Sequence, residues 1–126
     1  MKVLCLDCDG VIHAYTSKWT AAHEILDPPV PGAIEFLTYA VDEFDVAIYS
    51  TRNASPGAIA AMKAWLLIHL TAYYDGVEDY ARDTLSKIKF PTTKPIAFVG
   101  IDDRVLLFDG TFPSMETLHN FKPWNR

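Results

Sequence analysis

The chain has 126 residues, enough for one domain (1–126) that builds a core without disulfides or a structural metal. With half its residues apolar and 21% charged, it has the balance of a globular domain and not of a disordered segment. Eleven basic against sixteen acidic residues give a net charge of -5, which argues against a broad, sequence-blind nucleic-acid surface but leaves room for a local basic pocket.

Lys2–Leu6 reads as a short strand that ends at Asp7. Cys5 and Cys8 lie three apart in this apparent strand, so their side chains face opposite ways and do not bridge each other. No second cysteine pair or histidine pair completes a zinc site, and two cysteines make no disulfide framework. A reducing, cytoplasmic setting is expected. The start MKVLCLDCDG does not read as a signal peptide, because its apolar stretch is short and interrupted by Asp7 and Asp9. A turn at Gly10, a polar and aromatic stretch over His13–Asp27 and a connector stiffened by Pro28, Pro29 and Pro31 follow. Ile34, Leu37, Val41 and Phe44 then recur at helical spacing and predict a helix over Ala33–Phe44.

Asp45–Tyr49 is the second predicted strand, ending at Ser50-Thr51-Arg52. Ser55 as a cap with Pro56 behind it predicts the start of a second helix. Its stripe is Ile59, Met62, Leu66, His69 and Tyr73, with Trp65, Leu67 and Ile68 adding apolar surface elsewhere. That surface suits deep burial against a sheet or a subunit contact in a homodimer. The stretch Ala58–Leu70 contains Lys63 and His69 and is too short to span a bilayer, so no membrane association is expected. Gly76–Leu85 shows no clear pattern beyond one helical turn. Lys87–Phe90 reads as a short strand and Thr92–Pro95 as a turn. Ile96–Ile101 reads as a buried strand that ends at Asp102-Asp103, Val105–Phe108 as a last short strand, and Pro113 as the start of a terminal helix reaching about Asn120. Strands alternating with helices predict an α/β fold with a mainly parallel, Rossmann-like sheet in a three-layer α/β/α sandwich.

In such folds ligands sit beyond the carboxyl ends of the strands, and the polar residues gather there. Asp7 and Asp9 follow the first strand, Ser50, Thr51 and Arg52 the second, and Asp102 and Asp103 the Ile96–Ile101 strand, which Lys94 precedes. Carboxylates converging on one edge repel and raise one another's pKa unless a cation sits among them. A hard cation with oxygen ligands suits them, and Mg²⁺ suits a small site that also holds waters and a phosphate. Two carboxylates one residue apart can divide the labour, one attacking as a nucleophile and one moving a proton. Lys94 and a Ser50 or Thr51 hydroxyl suit phosphoryl oxygens. Lys87 and Lys89 compete with Lys94. Arg52 and Arg104 either balance the acids or meet a substrate phosphate. The four histidines, His13 among them, have no ligand spacing and read as structural, while Tyr15 and Trp19 either pack a short flap or stack on substrate.

The run Asp7-Cys8-Asp9-Gly10-Val11 resembles the first motif of the haloacid dehalogenase superfamily, D-x-D-G-[TV]. Val46-Ala47-Ile48-Tyr49-Ser50 resembles its second motif, Lys94 its third, and Gly100-Ile101-Asp102-Asp103 its fourth; all four stand in order and cover most of the chain. The resemblance implies a Mg²⁺-dependent phosphatase in which Asp7 forms an aspartyl-phosphate and Asp9 protonates the leaving oxygen, then activates water. Ser50 and Lys94 would hold the phosphoryl group, with Gly10, Thr51 and Arg52 beside it. Asp7, the Asp9 carbonyl and Asp102 or Asp103 would hold the metal, with Asp102 expected as the direct ligand. An acid at position 9 favours phosphoryl transfer over dehalogenation. The short spacings leave no room for a cap domain, and capless members of this superfamily often take large or polymeric phosphorylated substrates or rely on a partner to cover the site. A non-catalytic Mg²⁺- or phosphate-binding module is the second reading. A receiver domain fits less well, because the acid pair follows the hydroxyl here. Nucleotides, sugar phosphates, nucleic-acid ends and phosphoproteins all remain as substrates.

Overall fold

The computed structural model describes residues 1–125. Four parallel strands, β1 (Val3–Leu6), β2 (Asp45–Ile48), β3 (Ile88–Lys89) and β4 (Val99–Ile101), form one sheet in the order β3-β2-β1-β4. Helices α1 (Ala33–Glu43), α2 (Ala58–Tyr73) and α3 (Glu78–Ser86) fill the connections between β1, β2 and β3, and a short α4 (Met115–His119) lies near the end. The class is mixed α/β.

The chain steps from β1 to β2 to β3 in one direction. Right-handed crossovers taken in one direction put their helices on one face of the sheet. Accordingly α1, α2 and α3 all touch one another. Alternation along β1 sends Leu4 and Leu6 into that layer, where they meet Leu37 and Val41 of α1, Met62, Leu66 and Leu70 of α2, and Val46 and Ile48 of β2. The return to β4, on the other side of β1, runs through residues 90–98 without a helix. The second helical layer that the sandwich expectation required therefore has no helix from this crossover.

Several local expectations shift. Ser55 does not cap α2. Ser50 caps a 3₁₀ turn (Thr51–Ala54) instead, accepting from the Arg52 N–H while Asn53 accepts from the Ser50 N–H, and Ser55 closes that turn. The second helix starts at Ala58, after Gly57. It is apolar on nearly all sides, so its pattern does not select a face. Trp65 is buried, with its indole N–H donating to the Asp27 carbonyl at 2.9 Å, whereas Ile68 and Tyr73 are exposed. The weakly patterned Gly76–Leu85 stretch contains a nine-residue helix, α3, opened by Glu78 and Asp79 where the helix dipole favours acids. Strand β4 is shorter than expected and exposed, because it is an edge strand with no helix over it. Val105–Phe108 is irregular, and α4 is capped by Ser114, not opened by Pro113. Among the described residues no helix is long and apolar enough to cross a membrane.

Candidate functional site

The strand order reverses between β1 and β4, and the crevice at such a reversal is where open parallel sheets bind ligands. The Asp7 N–H donates to the Ile101 carbonyl at 3.0 Å, tying the two strand ends together. Asp7 thus leaves β1 beside Asp102 and Asp103 leaving β4, and each of the three offers an oxygen within 4.8 Å of the others. Burial, then the Asp102 charge, then Asp103, push the Asp7 carboxyl up to about 7, against the pull of the Cys8 N–H, which donates to Asp7 Oδ1 at 2.8 Å. Asp102 Oδ1 accepts from the Arg104 N–H at 2.9 Å. Asp103 Oδ1 is buried with no partner among the described residues. Three mutually repelling carboxylates with one orphaned oxygen fit a hard divalent cation, which needs oxygen donors and removes the repulsion.

Asp103 also explains Gly10. A Cβ at Gly10 would overlap the Asp103 carboxylate, so only glycine permits this approach, and its φ of 84° suits glycine as well. The Gly10 N–H donates to the His13 carbonyl at 2.8 Å, and its own carbonyl accepts from the Trp124 indole at 2.8 Å. Its amide is therefore engaged within the loop and does not face a substrate phosphate.

Asp9 is gripped from two sides. His13 Nδ1 lies 2.8 Å from Oδ1, and the Arg52 Nε–H donates to Oδ2 at 2.7 Å. The Asp27 N–H donates to His13 Nε2 at 3.0 Å, which makes Nε2 the acceptor and puts the proton of the neutral ring on Nδ1, facing Asp9. Burial alone would raise the Asp9 carboxyl; the His13 and Arg52 hydrogen bonds outweigh it and hold the group below its ordinary value.

At the end of β2, Ser50 is buried and Thr51 exposed, and both line a cavity of about 340 Å³ with Asp7, Asp9, Asp102 and Asp103. Arg52 is not in that wall. It is 1% exposed, and besides Asp9 it donates through Nη1 to the carbonyls of Ala21, Ala22 and Glu24. Its guanidinium thus pins the 19–24 loop under Trp19, whose ring lies 4.6 Å away, in place of the expected phosphate contact. Arg104 is the exposed arginine at the cavity wall.

Lys94 lines a second cavity, of about 470 Å³, that shares Asp7 and Asp102 with the first. Its competitor Lys87 lies away from both, within ion-pair distance of Asp42 and Asp83. Lys89 lines neither cavity.

Two contacts escape sequence reasoning. His13 reads as structural until the fold closes Asp9–His13–Asp27; its one signal is the four-residue spacing from Asp9. Trp124 and Asn125 return to the first loop across more than a hundred residues, Asn125 donating to the Ala14 carbonyl at 3.3 Å, and no local pattern announces that. Compared with known proteins, the chain matches no family model, no curated protein and no solved structure.

Proposed function

We propose that this chain is a Mg²⁺-dependent phosphatase that works through a phosphorylated Asp7. The observation that carries the reading is the meeting of Asp7 with Asp102 and Asp103 at the β1/β4 reversal, in a cavity that Asp9 and Ser50 also line. The α/β fold is compatible with the Rossmann-like topology the motifs imply. Asp7 Oδ1 accepts the Cys8 N–H, which leaves Oδ2 to attack phosphorus while the bond to the leaving oxygen breaks. Ser50 and Lys94 each line a cavity that Asp7 also lines, and both suit phosphoryl oxygens. Asp7, the Asp9 carbonyl and Asp102 or Asp103 would hold Mg²⁺, which when bound neutralises phosphoryl charge and keeps Asp7 ionised.

Water then attacks phosphorus, Asp9 takes its proton, and Asp7 and inorganic phosphate are released. Asp9 is already in the base form that this second step needs. Donating to the leaving oxygen in the first step requires that Asp9 first acquire a proton against Arg52 and His13, so leaving groups that need little protonation react fastest. The same grip favours a second reading, a Mg²⁺- and phosphate-binding module without turnover. Hydrolysis of an aryl phosphate with Mg²⁺ and with EDTA separates the two. The phosphatase turns over only with Mg²⁺ and only with Asp7 intact. A module shows no turnover, while Mg²⁺ still raises its melting temperature.

A further inference from the structure

The face left without helices and the open edge beside it lead to an assembly. All-parallel sheets are buried on both faces, because their residues are apolar on both. Here β4 is an edge, and the segment Ile-Ala-Phe-Val-Gly-Ile over 96–101 carries no charge or proline to keep another strand from pairing with it. The arm that follows, residues 104–122, carries many apolar side chains and leaves most of them exposed. In the arm Leu107 is 96% exposed and Phe112 86%, and Ile96, at the start of the edge segment, is 97% exposed. Helix α4, inside the arm, makes no substantial contact with any other element.

The arm surrounds a cavity of about 780 Å³ lined by Leu106, Phe108 and Leu118 among others, while Val105 lines the neighbouring Lys94 cavity together with Phe98. Scaled by their exposed fractions, these side chains leave on the order of 1,000 Å² of largely apolar surface in the open, where a monomer's largest single patch is usually a few hundred Å². One partner of a stable interface contributes roughly 800 Å², so the area matches what a dimer needs.

We infer that the occupant is a second copy of this chain. A two-fold axis beside β4 sets the two β4 strands antiparallel, extends both sheets across the interface and lays each arm against the other copy. One operation thus serves an open edge and an apolar arm that lie side by side in the same chain, which is the self-complementarity an isologous dimer requires. A different protein would have to supply both features. Surface and topology alone carry the inference, and the interface borders the Lys94 cavity through Phe98 and Val105.

Sedimentation of the full chain from about 1 to about 200 µM tests it. The expected result is a species of twice the chain mass. Hydrogen exchange within 96–118 should slow as concentration rises. Leu107→Glu with Phe112→Glu should weaken association at least about a hundredfold, because two charges enter an apolar interface. Both positions face solvent in the single chain, so its circular dichroism should not change. Tyr39→Glu, on the exposed side of α1, should leave the dimer intact. A single-chain mass across the whole range overturns the proposal, as does a dimer that the double variant leaves unchanged.

Discussion

Arg52 and Asp9, 43 residues apart, form the tightest polar link between the first two strand ends: Nε–H to Oδ2 at 2.7 Å, with the arginine almost wholly buried. A buried charge of this kind is strongly coupled to its partners. Removing one member leaves the other desolvated and unpaired, which costs about 3–5 kcal/mol. Arg52→Met should therefore destabilise the fold by about that much in urea unfolding. It leaves Asp9 with His13 as its remaining side-chain partner and strands the carbonyls of Ala21, Ala22 and Glu24. Arg52→Lys should rescue little, since a single ammonium cannot reproduce the planar fork. A loss below about 1 kcal/mol for Arg52→Met would show that the pair is solvated and dispensable.

The grip on Asp9 sets a kinetic expectation. Asp9→Ala should slow hydrolysis of alkyl phosphates by about a hundredfold or more, the usual worth of a positioned acid-base group. Aryl phosphates should lose less, because their leaving oxygens need less protonation. Plotting log kcat/KM against leaving-group pKa for both proteins checks this. Parallel lines would make Asp9 a metal-site residue and not a proton carrier.

How much of this was legible beforehand depends on the range of the interactions. Asp7, Asp9, Asp102 and Asp103 stand out because apolar strands end on them, and strand ends at a sheet reversal converge whatever the details. The Arg52 environment was hidden, because its carbonyl partners are backbone groups in an irregular loop that carries no sequence signature. The α2 face was hidden for the opposite reason: the helix is apolar nearly all round, and Trp65 is drawn inward by the Asp27 carbonyl, a contact 38 residues away. The exposure of β4 was illegible because Ile96–Ile101 has the composition of a buried strand, and composition does not record that no helix covers it.

Asp7→Asn should abolish turnover while the protein stays folded, since the amide keeps the shape of the carboxyl and cannot attack phosphorus. The wild type, quenched in acid during turnover, should carry a phosphate that hydroxylamine removes, and Asp7→Asn should carry none. Full activity in the variant would exclude Asp7 as the nucleophile.

The raised Asp7 carboxyl ties stability to pH. Without metal, folded Asp7 titrates near 7, above its unfolded value of 3.8, so between those values the native state holds the extra proton. This group's contribution to stability is fully present at low pH and falls as pH rises toward 7. Asp9 and Asp27 are shifted the other way and act below pH 4, outside this window. His69, lowered by burial, gains stability as pH rises toward its ordinary value and so opposes the trend, which makes Asp7→Asn the needed control. Mg²⁺ must displace that proton, so its affinity should weaken about tenfold per pH unit below 7. Calorimetric Mg²⁺ titrations at pH 5.5, 6.5 and 7.5 (about one unit apart) check the slope, which should vanish in Asp7→Asn.

The division between Asp102 and Asp103 is the sharpest question the site poses. Strand β4 ends at Ile101, so a turn begins at Asp102 and strand alternation no longer forces the two side chains apart. Asp102, the expected direct ligand, already accepts the Arg104 N–H with Oδ1. Asp103 has, among the described residues, the buried Oδ1 without a partner, while its Oδ2 lies close against Gly10. An orphaned carboxylate oxygen is costly, and the ligand that satisfies it gains that cost back. Asp103→Asn should therefore raise the Mg²⁺ concentration for half-maximal activity more than Asp102→Asn does, by about tenfold or more, with excess Mg²⁺ partly restoring the rate. The reverse order would make Asp102 the direct ligand and leave Asp103 to hold a metal-bound water. If neither variant moves the Mg²⁺ dependence, the acids after β4 are not the metal site, and the resemblance of Gly100–Asp103 to the fourth motif loses its chemical meaning.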